Sequence, residues 1–186
     1  MFSNKFIQRF LKACQIVVFT GDNLCTESKD AMIQGNNKQL RELFTNDQLK
    51  HNDRDFWKNV KRIRMDLEAA KPNLGHYALV DLENRFEDFT LITTAIDGLH
   101  QKAGNNKLIE LRGNIRRNLC LKCGKKFYQL RENDPLIPVC PACGGKARPD
   151  VLLNDESIDQ NLLKQAQQAA AEAELFIAVC LKDMHK

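Results

Sequence analysis

Two closely spaced pairs of cysteines are the residues of this sequence whose types and spacing most clearly indicate chemistry. They form a C-x2-C…C-x2-C pattern made of Cys120, Cys123, Cys140 and Cys143. Two such pairs on facing turns supply the tetrahedral set of thiolates that zinc prefers in structural sites. Because four thiolates leave the metal no open position, we expect one structural zinc ion that takes no part in catalysis.

The glycines beside these pairs favour a metal site over the alternative interpretation, in which the two cysteine pairs are buried without a metal. Gly124 and Gly144 each follow the second cysteine of a pair. A tight turn around a metal needs a positive φ at that point, which glycine adopts without strain. Buried pairs alone account for neither the doubled spacing nor the glycines, so we favour zinc.

Size and composition fit one globular core with a small metal-binding module. The chain has 186 residues, a formal net charge of +4 and 43% hydrophobic residues. No apolar run approaches the ~20 residues of a membrane span, so no membrane partner is expected. Seven cysteines without a secretory signal indicate a reducing compartment, and we predict a cytoplasmic protein. The alternative is a mitochondrial protein, because the first 21 residues are basic, acid-free and amphipathic.

Strand and helix patterns alternate along the chain. Short runs rich in β-branched or apolar residues predict strands at 16–21, 89–95, 108–111, 151–153 and 175–180. Helical spacing predicts helices before residue 16, at 39–44, at 55–70, from Asn73 onward and at 157–174. Alternating strands and helices predict an α/β fold, with a parallel sheet covered on both faces and the zinc module inserted in it.

Two of these helices have predicted buried faces. The helix at 55–70 is expected to bury Phe56, Val60, Ile63 and Leu67. The next helix, with Asn73 as its N-cap, is expected to bury Leu74, Ala78, Leu79 and Leu82. The second helix also contains His76, for which we predict a structural role.

Several longer strings together resemble the sirtuins, the NAD-dependent protein deacylases. The strings are AKPNLGHYAL, ITTAIDGLHQKAG, IELRGN, the two cysteine pairs, CGGKARPDV and AELFIAV, and the resemblance covers residues 16–179. It implies a Rossmann-like domain, at residues 1–117 and 149–186, and a zinc-ribbon domain at 118–148. It also implies that NAD and an acyl-lysine peptide meet in the cleft between the two domains, yielding free lysine and an acylated ADP-ribose.

The resemblance breaks at the residues that carry the family's chemistry. The histidine base of the motif E-L-H-G is replaced by Arg112, and a guanidinium cannot accept a proton. Thr94 and Ala95 replace a glutamine and an asparagine that meet the ribose and its water. Ile96 and Asp97 match residues that hold nicotinamide. The alternative for Asp97 is a purely structural role, and His100 is expected to stabilise its loop by a hydrogen bond.

The phosphate-binding loop departs from the family as well. Gly21 is retained, but Asp22 and Asn23 stand where small residues let backbone N–H groups approach the pyrophosphate. The family's segment that folds over NAD is also replaced, at residues 29–34. We therefore expect weak or no NAD binding. Cys25 replaces a small serine, and no partner base for a nucleophilic cysteine is evident.

The end of the predicted sheet is incomplete relative to the family. After the strand that matches AELFIAV, sirtuins continue with a G-T-S turn and further strands, whereas Cys180 begins a different segment here. An open sheet edge is a liability unless another chain covers it. We therefore expect a protein partner or a second copy of the chain on this edge.

Taken together, these departures predict a zinc-binding pseudoenzyme of the sirtuin type that acts as a binding or regulatory module. The first alternative is a working NAD-dependent protein-lysine deacylase or ADP-ribosyltransferase. Val60 and Ile63 stand where relatives that prefer acidic acyl groups have tyrosine and arginine, so that preference is not inferred. The second alternative is a nucleic-acid-binding zinc protein, because residues 107–131 hold eight Lys and Arg against the single acid Glu110. Solvated surface lysines explain that charge more simply.

Overall fold

The computed structural model describes residues 4–21, 24, 44–129 and 134–179, which form six helices and seven strands. The helices are α1 Asn4–Lys12, α2 Asn46–His51, α3 Asp53–Ala69, α4 Leu74–Arg85, α5 Leu99–Ala103 and α6 Gln160–Glu172. The strands are β1 Gln15–Thr20, β2 Asp88–Thr93, β3 Leu108–Glu110, β4 Gly113–Cys120, β5 Lys126–Tyr128, β6 Ala147–Val151 and β7 Leu175–Val179. Among these residues no helix is both long and apolar enough to cross a membrane.

The larger sheet has four parallel strands in the order β3-β2-β1-β7. Strand β1 lies inside it, and its Ile16 and Val18 pair in register with Phe89 and Leu91 of β2. Both β1 residues are fully buried. A strand that is buried on both faces needs a continuous apolar sequence, which is why the run IVVF forms this strand. The predicted parallel α/β sheet is confirmed.

Helices cover both faces of this sheet, as predicted. On one face, α4 packs Leu79 against Ile16 and Leu91, and α1 contributes Phe10 to the same apolar cluster. On the other face, α6 packs Ala166 against Val17 and Ile92. The sheet therefore forms the middle of a three-layer arrangement, with each apolar face covered by a helix.

The smaller sheet is antiparallel, with the order β5-β4-β6, and it carries the cysteines at its loops. Its strand β4 begins directly after the turn that ends β3. Helix α3 packs on the smaller sheet, because Val60 and Leu67 belong to one apolar cluster with Ile115 of β4 and Val151 of β6. The apolar face predicted for this helix is confirmed, since Phe56, Val60, Ile63 and Leu67 are all buried.

The structure corrects the predicted inner face of α4. Leu74 is 86% exposed and Ala78 is also exposed, whereas His76 and Leu79 are buried. The cause is the start of the helix, where the Asn73 side chain caps the backbone N–H of His76 and the His76 ring returns to the Asn73 backbone N–H. This capping box orients the first turn with the imidazole inward.

Some predicted element bounds differ from the structure. The strand expected at 151–153 lies at Ala147–Val151, because it pairs with β4 and continues directly from the second cysteine turn. The helix expected at 157–174 begins at Gln160, because Asp159 caps its first N–H groups. Helix α2, capped by Thr45, was not predicted. The helix expected at 39–44 lies almost entirely outside the described residues.

Candidate functional site

The four cysteines come together at the tip of the smaller sheet. Their Sγ atoms all lie within 4.8 Å of one another, with Cys120 to Cys143 at 3.5 Å and Cys123 to Cys140 at 3.7 Å. Four sulfur donors at this separation fit one tetrahedral zinc ion. The four residues predicted as ligands are thus positioned to bind it.

Two equivalent turns position these donors. The N–H of Gly124 donates to the carbonyl of Cys120 at 3.0 Å, and the N–H of Gly144 donates to the carbonyl of Cys140 at 2.9 Å. The two glycines have φ values of 69° and 67°, as predicted from the sequence. Each turn therefore brings both of its thiols to the same side of the chain.

The backbone around the first turn also favours the thiolate form of Cys120. The N–H groups of Cys123 and Lys122 both donate to its Sγ at 3.4 Å and lower its pKa to about 6. A lowered pKa supports metal binding, because zinc binds the deprotonated sulfur.

A cleft of about 700 Å³ separates the two sheets. Its walls come from β3, the turn at 111–112, β4, β6 and the segment leading into α6. Arg112 lines this cleft, two residues after Glu110 at the end of β3. The residue predicted to replace the family's histidine base therefore lies on the wall of this cleft.

Ion pairs fix the polar part of the cleft wall. Arg117 lies between two carboxylates, 2.6 Å from Glu110 and 2.8 Å from Asp150. Arg148 makes two hydrogen bonds to Glu156, at 2.5 and 2.7 Å, and lowers the pKa of that carboxyl to about 2. Because these charges are paired, we expect this wall to be rigid and close to electrically neutral.

A buried polar cluster joins the carboxyl ends of β1 and β2. The Thr20 hydroxyl donates to Thr93 Oγ1 at 2.8 Å, and His100 Nε2 lies 3.0 Å from Thr20 Oγ1. Burial lowers the pKa of His100 to about 4, together with the smaller effect of the His76 ring, whose centroid lies 4.9 Å from that of His100. His100 is therefore neutral at physiological pH. Its hydrogen bond holds the loop after β2, as the sequence analysis expects.

The candidate cofactor residues lie beside this cluster. Gly21 follows β1 and donates its N–H to the carbonyl of Val179, while Ile96 and Asp97 follow β2. Asp97 is buried, and its Oδ1 accepts the N–H of Leu99 at 2.8 Å. The structure thus places all three at the carboxyl edge of the parallel sheet, where α/β proteins bind nucleotides.

Other residues of the predicted cofactor site lie outside the described part of the chain. These are Asp22, Asn23, Cys25 and residues 29–34, together with Cys180 and the residues after it. The predictions made for them stay predictions.

Sequence reasoning missed Arg64, which ties α3 to β4. Its Nε donates to the carbonyl of Ile115 at 2.7 Å, and its Nη2 donates to Asn118 Oδ1 at 2.8 Å. The available signal was spacing, because Arg64 follows Trp57 by seven residues and precedes Leu67 by three, on the apolar side of the helix. An arginine within such a stripe indicates a buried cation with specific acceptors.

Comparisons with known proteins agree with this geometry. The model of the Sir2 family matches residues 30–181. An NAD-dependent protein deacylase of Aquifex aeolicus is 37% identical over 170 residues, which are 88% of this chain and 71% of that protein. An NAD-dependent protein deacetylase of Clostridium acetobutylicum is 32% identical over 179 residues, which are 89% of this chain and 72% of that protein.

Solved structures show the same similarity. A sirtuin from a study of the structural basis of substrate affinity has a TM-score of 0.80 at 29% identity, over 96% of this chain and 77% of that chain. A Sir2 histidine mutant in complex with a p53 peptide and NAD has a TM-score of 0.76 at 28% identity, over 97% of this chain and 76% of that chain. The similarity therefore covers most of this chain in both sequence and fold.

Proposed function

This chain belongs to the Sir2 family, and on that premise we propose that it is a zinc-stabilised member that binds acyl-lysine peptides without deacylating them. It acts as a binding or regulatory module rather than as an enzyme. The zinc ion holds the smaller sheet in place and takes no part in chemistry, because four thiolates close its coordination shell.

Arg112 is the observation that carries this proposal. It follows Glu110 and Leu111 on the wall of the cleft, at the place of the histidine base in the motif E-L-H-G. General base catalysis needs a group that is unprotonated near the working pH. A guanidinium has five N–H donors and no acceptor, so Arg112 can bind a carbonyl or a carboxylate but cannot remove a proton.

The described part of the cofactor site fits NAD poorly. Gly21, Ile96 and Asp97 offer contacts at the edge of the sheet, but Thr94 and Ala95 lack the side-chain amides that sirtuins place there. Ala95 is also buried and brings only a methyl group. NAD would supply the ribose that accepts the acyl group, so weak binding of NAD would remove the reaction together with the base.

The cleft itself suits the other ligand. Its lining includes the apolar side chains of Leu108, Leu111, Leu152 and Leu162. An acylated lysine is a long aliphatic chain with a neutral amide, which favours such a lining over water. The walls come from the two proposed domains, a Rossmann-like domain at 1–117 and 149–186 and a zinc ribbon at 118–148. Strands β4 and β6 cross the proposed domain boundaries, so the exact division into two domains stays a prediction. The cytoplasmic location also stays a prediction.

The test combines peptide binding with product analysis. Zinc-loaded protein is titrated into a fluorescent acetyl-lysine peptide and its unmodified counterpart, without NAD, and the anisotropy is measured. We expect binding of the acetylated peptide and weaker binding of the unmodified one. Equal or undetectable binding of both peptides contradicts the binding module.

The second half of the test asks for catalysis. The natural chain, Arg112→His and the control Arg62→His, an exposed arginine of α3, are incubated with NAD and the peptide. We expect no acylated ADP-ribose by mass spectrometry from any of them. A single general base accelerates a reaction roughly 10²–10⁴-fold. Restoring the base does not restore the cofactor site, because the groups of that site act together. Product from Arg112→His alone would show that the base was the only defect.

A working NAD-dependent deacylase is the second candidate function. The names of the relatives from Aquifex aeolicus and Clostridium acetobutylicum favour it, as does the buried cluster of Thr20, Thr93 and His100 at the carboxyl edge of the sheet. The same assay separates the two candidates, because product from the natural chain above a no-enzyme control would establish the enzyme and overturn the pseudoenzyme.

A further inference from the structure

A second cavity, of about 380 Å³, lies between helix α3 and the segment that joins β5 to the second cysteine turn. Its volume falls within the range of about 300–1,000 Å³ that small-molecule sites occupy. Helix α3 lines one side of it with Trp57, Lys61, Arg64, Met65 and Glu68. Among the described residues, this cavity and the cleft have no lining residue in common, so a ligand here would bind independently of the proposed function.

The walls of this cavity are mainly apolar. The α3 residues that line it recur at intervals of three and four, so they form one side of the helix, beside the face that packs in the core. Trp57, which is 2% exposed, forms the inner wall, and Leu136 and Pro138 come from the facing segment. Met65 is 59% exposed and marks the mouth. Such a lining favours an apolar molecule over water.

Arg64 brings two unused N–H groups to this cavity. Its Nε and Nη2 donate to β4, at the carbonyls of Ile115 and Arg117 and at Asn118 Oδ1. These two nitrogens share one edge of the planar guanidinium, so Nη1 lies on the opposite edge and points away from β4. Among the described residues no acceptor meets Nη1, although Arg64 is only 8% exposed. A buried donor without a partner costs free energy, which an acceptor on a ligand recovers.

The positive charge of Arg64 also lacks a counter-charge within the described part of the chain. Its three acceptors on β4 are neutral, and Glu68 on the same side of α3 is paired with Arg116 instead, at 3.0 Å. The ring of Trp57, whose centroid lies 5.7 Å from Arg64 Cζ, stabilises the cation only in part. Because buried charges in proteins are normally paired, an anion in the cavity would both neutralise this charge and accept from Nη1.

Together, the apolar walls and the buried cation select one class of ligand. We propose that the cavity binds a small monocarboxylic acid with an apolar body, whose carboxylate accepts hydrogen bonds from Arg64 Nη1 and whose body packs on Trp57 and Leu136. A hydrogen bond between two charged groups is about twice as strong as one between neutral groups. Two carboxylates, of Glu68 and Asp134, line the same cavity and repel a second negative charge, so dicarboxylates and phosphate esters are disfavoured.

The first experiment uses Trp57, the only tryptophan of the chain, as its reporter. Zinc-loaded natural protein at neutral pH, without NAD or peptide, is titrated with octanoate, with 4-phenylbutyrate, with the amide of each acid and with the dicarboxylate suberate, and the fluorescence of Trp57 is measured. We expect a saturable change with a submillimolar Kd for at least one acid, and at least tenfold weaker binding of its amide and of suberate. No saturable change with either acid, or an acid that binds no more tightly than its amide or suberate, would overturn the proposal.

The second experiment tests the place of binding with variants. Met65→Glu puts a carboxylate at the exposed mouth and should weaken binding of the acid at least tenfold, whereas Tyr77→Glu, the matched control at a 48% exposed position of α4, should leave it unchanged. Arg64→Met should bind the acid and its amide alike, and Lys61→Met, which removes a cation from the same wall, should keep the preference for the acid.

Circular dichroism and zinc content check the folding of each variant, and Met65→Glu decides alone if Arg64→Met does not fold. The natural affinity for the acid in Met65→Glu or in folded Arg64→Met would overturn the proposal, as would a loss of the acid preference in Lys61→Met.

Discussion

Replacement of Arg64 by methionine is predicted to destabilise the protein through the acceptors it leaves behind. The guanidinium lies in the interior, 8% exposed, and donates to the carbonyls of Ile115 and Arg117 and to Asn118 Oδ1. The pairing of β4 with β6 is irregular between Asn114 and Asn118. The carbonyl of Ile115 therefore turns toward α3 and depends on the arginine for its hydrogen bond.

The magnitude follows from two of these acceptors. Ile115 and Asn118 are fully buried, so neither acceptor gains water when the arginine is removed, and each unsatisfied acceptor costs about 1–3 kcal/mol. The Arg117 carbonyl is partly buried and is left out of the sum. Burial lowers the pKa of Arg64 to about 10, which shows that this position disfavours the charge. Removing the charge offsets part of the loss, and we expect Arg64→Met to lower the free energy of unfolding by about 2–4 kcal/mol.

Urea unfolding of the zinc-loaded protein, followed by circular dichroism, measures this change. Arg62→Met on the exposed side of the same helix is the control and should stay within about 0.5 kcal/mol of the natural chain. Arg64→Lys should fall between the two, because a lysine reaches fewer acceptors than the guanidinium fork. A loss below about 1 kcal/mol for Arg64→Met would refute the reasoning, because it would mean that the two acceptors find water or new donors.

Three further predictions concern the zinc site and the response to acid. We expect the natural protein to bind roughly one zinc per chain and Cys140→Ser to lose it, since metal binding supplies the free energy that folds a small zinc ribbon. Elemental analysis measures the zinc, and limited proteolysis measures the unfolding of the smaller sheet. Full retention of zinc in Cys140→Ser would contradict the prediction. Burial depresses the pKa of His100 from 6.5 to about 4, so on acidification the unfolded chain takes up a proton before the folded one, and stability should fall as the pH drops from about 6.5 to 4. Unfolding midpoints measured across this range test the prediction. A stability that rises as the pH drops would contradict it. Arg148 holds the pKa of Glu156 at about 2, well below the usual value of 4.5 for a glutamate, so the contribution of Glu156 to stability should be present above pH 4.5 and lost as the pH falls toward 2. Arg148→Gln should flatten that part of the stability profile, and an unchanged slope would contradict the prediction.

The sequence by itself determined the features that depend on neighbouring residues. The two C-x2-C pairs and their glycines specify the metal turns locally, because each turn is closed by its own backbone hydrogen bond. Asn73 specifies the start of α4 for the same reason. The apolar run of β1 and the apolar stripe of α3 predicted burial correctly, since an uninterrupted run is typical of a strand buried on both faces and a period of 3.6 residues shows which side of a helix avoids water. The place of Arg112 within its motif was also readable without coordinates.

Only the tertiary structure decided how these elements combine. The burial of His76 in place of Leu74 depends on a capping ring that contacts His100 of α5, and no periodicity in the sequence indicates this contact. Arg64 acquires its role from an irregularity in β4, more than fifty residues away in the chain. Among the described residues, the strand order places β7 at an edge although its composition is that of an interior strand. The physical reason is the same in each case: a residue's own sequence neighbourhood specifies its local conformation, but the partners that bury or hydrogen-bond it come from distant segments, and only packing brings those together.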